Sequence, residues 1–144
     1  MKRLAALFAL LAAPAAAQQA PITLDAAIVG VATEPGEHVG GYVRIRNGGT
    51  DADRLIAANC ACSRLTEIHS TRTGEMVTLP ALAIPAGETV EIRPGSGLHL
   101  MLEAAEPIPA GSEVELTLRF ERAGEITQSF VVVADPLAAW PATL

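Results

Sequence analysis

Residues Glu113–Phe120 alternate without a break: Val114, Leu116, Leu118 and Phe120 fall on one side, Glu113, Glu115, Thr117 and Arg119 on the other. A period of two is the mark of a strand with one buried face, because successive side chains point to opposite faces. Further β-rich runs are Ile22–Val31, Tyr42–Arg46, Asp53–Ala58, Arg64–His69, Thr89–Arg93, Leu98–Leu102 and Ile126–Val133. Turn formers separate them, at Pro35-Gly36, Asn47-Gly48-Gly49, Pro85–Gly87, Pro94-Gly95, Pro109–Gly111 and Glu121–Gly124. Short strands punctuated in this way predict an all-β chain, a single antiparallel β-sandwich. No segment predicts a helix of useful length, and 10 prolines along the chain oppose a helix bundle. Ile84–Gly87 and Ile108–Gly111 share one sequence, but they are turns of one local type rather than a fold-defining repeat.

The first residues belong to a different category. Lys2 and Arg3 precede an apolar run from Leu4 to Ala13, followed by Pro14 and the small residues Ala15–Ala17. A basic start, a short apolar stretch and an A-x-A site predict a secretory signal peptide over 1–17. The run is too short to span a bilayer, which needs roughly 18 or more residues. Residues 18–144 then form one domain, with a short C-terminal tail from about 134 that contains Trp140. Cleavage would leave eight arginines against 16 acidic residues, a net charge of −8. Such a chain repels a phosphate backbone, and 3% aromatic residues are too few for base-stacking platforms, so nucleic acid is excluded as a partner. No later stretch is apolar and long enough to span a membrane, so an exported, periplasmic protein is expected.

Signs of an enzyme are missing from the sequence: there is no nucleophile elbow, no glycine-rich phosphate loop and no H-E-x-x-H zinc motif. The acidic residues scatter as a solvated surface would have them. The scarce residues say more. Beyond residue 17 there are two methionines, Met76 and Met101, and three histidines, His38, His69 and His99. His99 and Met101 share one face of the strand Leu98–Leu102, while Leu98, Leu100 and Leu102 share the other. Three leucines would anchor that strand and display an imidazole beside a thioether. Thioether is a soft ligand suited to Cu(I), whereas zinc sites rely on Cys, His and carboxylate. His69 and Met76 are the candidates to complete the set. A blue-copper centre would also need a Cys between its histidines, and none lies near His99 and Met101. A His/Met site without thiolate can hold copper and release it. His38 is read as a solvated histidine of the loop Pro35–Val39.

Taken in order, Gly41–Gly49, Asp53–Ala57, Glu67–His69, Ile84–Gly95 and Leu98–Leu102 resemble the periplasmic copper chaperones called PCuAC, over roughly residues 22–133. The resemblance implies a cupredoxin-like or immunoglobulin-like Greek-key sandwich binding Cu(I) at an exposed His/Met site. It places the first histidine at His69 and the closing His-x-Met at His99 and Met101. Six residues separate His69 from Met76 and 22 separate Met76 from His99, so the first loop is shorter than in the family. A gapped alignment reaches Thr78 at the methionine position, while Met76 is the methionine available to serve. The family's role implies delivery of copper to the copper-bearing subunit of cytochrome c oxidase, alongside Sco-type thiol proteins.

Cys60 and Cys62 depart from that pattern. Residues two apart in a strand lie about 6.5–6.8 Å apart, near the upper limit for a disulfide. Three readings stand: a disulfide, a thiol pair that adds copper ligands or reduces Cu(II), and two inert or intermolecular thiols. A thiol-disulfide factor using this pair is the alternative function, although Cys-Ala-Cys in a β context lacks the helix N-terminus that activates redox thiols. A sandwich used for adhesion or assembly is a third reading, which the clustering of His and Met disfavours.

Overall fold

The computed structural model describes residues 21–141, and the expected signal peptide over 1–17 lies outside the described residues. In chain order the strands are β1 Ile22–Gly30, β2 His38–Asn47, β3 Asp53–Cys60, β4 Ser63–Ser70, β5 Val77–Thr78, β6 Leu82–Ile84, β7 Thr89–Ile92, β8 Leu98–Ala104, β9 Glu113–Phe120 and β10 Gly124–Val133. One helical turn follows, α1 Pro136–Ala139.

Hydrogen bonding joins the strands into one curled sheet of order β5-β4-β8-β2-β1-β10-β9-β3-β6, with β7 beside β8 on the same edge of β2. β3 and β4 are consecutive yet do not pair; β3 bonds β6 and β9, β4 bonds β5 and β8. The turn between them carries the chain from one half of the sheet to the other. β1 joins the two halves by running antiparallel to β2 and parallel to β10. A bulge between Asp25 and Ile28 bends β1 so that Ile28 and Val29 can be shared by both neighbours. Ala26 sits in this bulge at φ +50°, a left-handed conformation that costs an L-residue about 1–2 kcal/mol. Pairing is therefore antiparallel with one parallel exception, where the sequence led us to expect antiparallel pairs throughout. The first and last strands meet side by side in the middle of the sheet.

The alternation seen in the sequence sets the core. Leu116, Leu118 and Phe120 of β9 and Leu98, Leu100 and Leu102 of β8 all point inward and are buried, with Val43, Ile45, Leu55 and Phe130 among their neighbours. Burial of a side chain of this size contributes about 1.5–3 kcal/mol. Two buried polar residues hold the turns. The Asn47 side-chain amide donates to the carbonyls of Asp51 and Ile84 and accepts from the Gly49 N–H. Asp53 accepts backbone N–H groups from Arg54, Arg122 and Ala123, which ties the β9–β10 turn to β3. Burial pushes its carboxyl up, but those three donors with the Arg122 charge outweigh burial and leave it below the ordinary carboxylate range.

Three local expectations change. His38 opens β2 and lies in register with Glu103 of β8, so it is a strand residue rather than a loop residue. β5 and β6 are two and three residues long, too short to show a period. The tail packs back through α1, where the Asp135 side chain caps the Ala138 N–H, and the Trp140 ring centroid lies 5.9 Å from the Arg44 guanidinium carbon. Among the described residues no helix is long and apolar enough to cross a membrane.

Candidate metal site

On the outward face of the β5-β4-β8-β2 half, alternation aligns Leu65, Glu67 and His69 on β4 with His99, Met101 and Glu103 on β8. Register pairs His69 with His99 and Glu67 with Met101, while Met101 faces Gly40 on its other side. Gly40 has no side chain to compete for this space, and the Tyr42 ring lies over it where a Cβ would stand. β5 pairs Thr78 with His69 and Val77 with Ser70, closing the loop 71–76 as a hairpin that folds Met76 back over β4.

The His69 ring is contacted from both sides. Its Nε2 lies 3.0 Å from Glu67 Oε2 and 3.2 Å from Thr78 Oγ1, and its Nδ1 lies 3.2 Å from Met76 Sδ. An ionised carboxylate only accepts, so this network assigns the proton of the neutral ring to Nε2 and leaves the Nδ1 lone pair towards sulfur. Donors that bind a metal at about 2.0 Å through nitrogen and about 2.3 Å through sulfur share an ion when they lie roughly 3–4 Å apart. A carboxylate on the far nitrogen is the usual means of fixing the orientation of a ligating histidine.

A cleft of about 390 Å³ opens here, lined by Met76, Met101, His69, His38, Glu67, Leu65 and Glu103. Three of the four expected ligands, His69, Met76 and Met101, thus line one cavity. His99 does not line it; its ring packs edge-on against His69, centroids 5.5 Å apart. Burial, and then the charge that His69 can carry, hold the His99 imidazole below its ordinary pKa and keep it neutral. Met76 and Thr78 both touch His69, from different sides. Among the described residues no three His, Cys, Asp or Glu side chains converge as a metal-binding group. The groups that face each other at His69 and Met76 are an imidazole and a thioether, a pair that suits a soft ion.

Cys60 and Cys62 are joined as a disulfide. The chain turns at Ala61–Cys62, which draws their Cα atoms to 5.0 Å instead of the strand spacing. Seven residues of β4, about 23 Å at the strand rise, separate this turn from His69. The pair supplies no thiolate to the cleft, against the reading of these cysteines as further copper ligands.

Glu67 and the placement of His38 beside the cleft escaped sequence reasoning. A signal for Glu67 was present: Glu67 and His69 are two apart on one strand and must share a face.

The fold has known counterparts. Residues 22–132 match the family model described as "Putative lipoprotein LpqE-like". No curated protein matches the chain. The copper-bound PCuAC domain from PmoF2 is 28% identical with TM-score 0.70, covering 80% of this chain and 94% of that domain. The Cu(I) form of DR1885 from Deinococcus radiodurans shares the fold at 22% identity and TM-score 0.64, covering 83% of each chain. The apo PCuAC domain from PmoF1 does so at 20% identity and TM-score 0.69, covering 80% of this chain and 95% of that one. By the extent of that match the chain belongs to the LpqE-like family, and its fold is that of the PCuAC copper-binding domains.

Proposed function

We propose that this protein is an exported Cu(I) carrier that holds one ion between His69, Met76, Met101 and His99 and hands it to another protein. The observation that carries this reading is the convergence of His69 Nδ1 and Met76 Sδ at 3.2 Å in a cleft shared with Met101. The copper-bound PmoF2 domain, alike in fold and 28% identical, supports copper as the cargo. Met76 is 57% exposed, so one donor stands where a partner can reach it. Neutral donors bind Cu(I) without a thiolate that would retain it, which fits transfer rather than storage or catalysis. Residues 1–17 act as the signal peptide in this reading, the compartment is the periplasm, and the recipient is the copper-bearing subunit of cytochrome c oxidase, with a Sco-type thiol protein as companion.

The test is a Cu(I) titration against a competing chelator, with X-ray absorption on the loaded protein. One equivalent bound through mixed sulfur and nitrogen scatterers is expected, with Zn(II) bound far more weakly. Tight zinc binding without a response to Cu(I) would rule the proposal out.

A further inference from the structure

On the same outward face, β2, β7 and the adjoining loops form a second and larger concavity, a groove of about 920 Å³. Four arginines line it, Arg44, Arg46, Arg72 and Arg93, against two acids, Asp25 and Glu91. Half of the eight arginines after residue 3 meet there, in a chain carrying 16 acidic residues. The groove is thus locally cationic on an acidic protein.

The four arginines are not equivalent. Arg44 is fixed: its Nε lies 3.0 Å from Glu91 Oε1, its Nη1 3.5 Å from Asp25 Oδ1, and Trp140 lies beside its guanidinium. Its Nη2 is buried without a hydrogen-bond partner. Arg93 reaches the other oxygen of Glu91 at 3.5 Å. Arg46 and Arg72 have no carboxylate within ion-pair distance among the described residues. Register places Arg44 opposite Glu91 and Arg46 opposite Thr89, and Arg93 follows β7 directly. The cations are therefore strung along about 13 Å of strand. One phosphate would engage one or two of them; carboxylates along a polypeptide would engage the row. A membrane surface would meet the net negative charge of the whole protein, whereas a segment inside the groove meets the local positive charge within a Debye length of about 8 Å.

Two chain segments link the groove to the residues of the candidate metal site. Arg72 lies in the loop that ends at Met76, and Gly95 and Ser96 form the turn that leads into Leu98 and His99. We propose that this groove docks an acidic segment of the protein that exchanges copper with this one, bringing that partner against the exposed edge at Met76. The proposal rests on the Cu(I) reading for its purpose, but its contacts can be tested separately.

The probe is an octaglutamate peptide titrated into the isotope-labelled protein, followed by amide shifts. Shifts are expected at Arg46, Thr89, Arg93 and Ser96, weakening several-fold as salt rises from about 20 to about 200 mM. The Arg46→Glu/Arg93→Gln variant, checked for an unchanged thermal midpoint, should bind the peptide at least about tenfold less tightly, since two charge-assisted contacts are lost, and should bind Cu(I) as the wild type does. Octalysine should leave the groove unmoved. No groove shifts with octaglutamate in a protein that binds Cu(I) would overturn the docking proposal alone. Equal groove shifts with inorganic phosphate, or arginine-dependent binding to phosphatidylglycerol vesicles, would overturn it in favour of a small anion or a membrane. Failure of the wild type to bind Cu(I) would overturn the copper reading and the partner's role with it.

Discussion

His69 Nδ1 and Met76 Sδ lie 3.2 Å apart although six residues of chain separate them. The pairing of Ser70 with Val77 and His69 with Thr78 makes this a hairpin and lays its last loop residue on the ring. Glu67 and Thr78 hold the opposite nitrogen. The ring is thus positioned by strand residues, while the sulfur sits at the end of the loop 71–76 and is 57% exposed.

Replacing either methionine should separate binding from folding. Met76→Leu and Met101→Leu keep nearly the same volume, and such exchanges cost under about 1.5 kcal/mol even in cores. Both side chains are at least partly exposed, so the thermal midpoint should barely move while Cu(I) affinity drops by at least about tenfold. Leu100→Ala on the same strand should do the reverse: Leu100 is fully buried, and the cavity costs about 2–5 kcal/mol. Chelator competition and thermal melts on the three variants check this. A Met101→Leu protein that melts early but binds copper normally would make Met101 a packing residue.

Glu67→Gln tests the network behind the ring. The amide keeps the shape but loses the carboxylate that fixes the Nε2 proton, and loss of such an outer partner typically weakens metal affinity by 10–100-fold. Unfolding should be nearly unaffected, because Glu67 is an outward-facing residue of β4. Affinity equal to wild type would show that His69 is oriented by Thr78 and packing instead.

The strand of His99 and Met101 was legible because β8 obeys one rule throughout: every second residue is buried, so Leu98, Leu100 and Leu102 predict where His99 and Met101 point. The same rule, applied to Glu67 and His69, carries the positioning contact. Met76 was legible as a candidate but its contact with His69 was not, because the loop length that brings its sulfur to the ring depends on a two-residue strand with no period of its own. The parallel pairing of β1 with β10 was hidden for another reason. It joins segments about a hundred residues apart through a bulge at Ala26, and alternation within each strand says nothing of its partner. The closing of Cys60 and Cys62 depended on a turn at Ala61, where the reading from strand spacing had left three outcomes open.

His99 gives the apoprotein a pH dependence. Burial, and then the charge on His69, lower its pKa from the ordinary value of 6.5. As pH falls through about 6.5 the unfolded chain takes up this proton before the folded one does, so stability declines until the folded pKa is reached; above about 6.5 the residue contributes nothing. The thermal midpoint should therefore drop as pH falls below about 6.5, and His99→Gln should reduce the drop. Cu(I) affinity should weaken over the same range because ligating imidazole must be neutral. An affinity flat to about pH 5 would exclude the histidines as ligands.

The disulfide separates a copper carrier from a thiol-disulfide factor. Cys60→Ser with Cys62→Ser removes both sulfurs from a turn about 23 Å along β4 from His69. The ring closed by residues two apart is so small that its loss should cost only about 1.5 kcal/mol by loop entropy, read as a modest fall in the denaturation midpoint. Cu(I) stoichiometry, affinity and the sulfur-nitrogen scattering of the bound ion should stay at wild-type values, since Met76 and Met101 supply the sulfur. Loss of Cu(I) binding in a variant that still folds would assign the metal to the cysteines and remove the His/Met cleft from the mechanism.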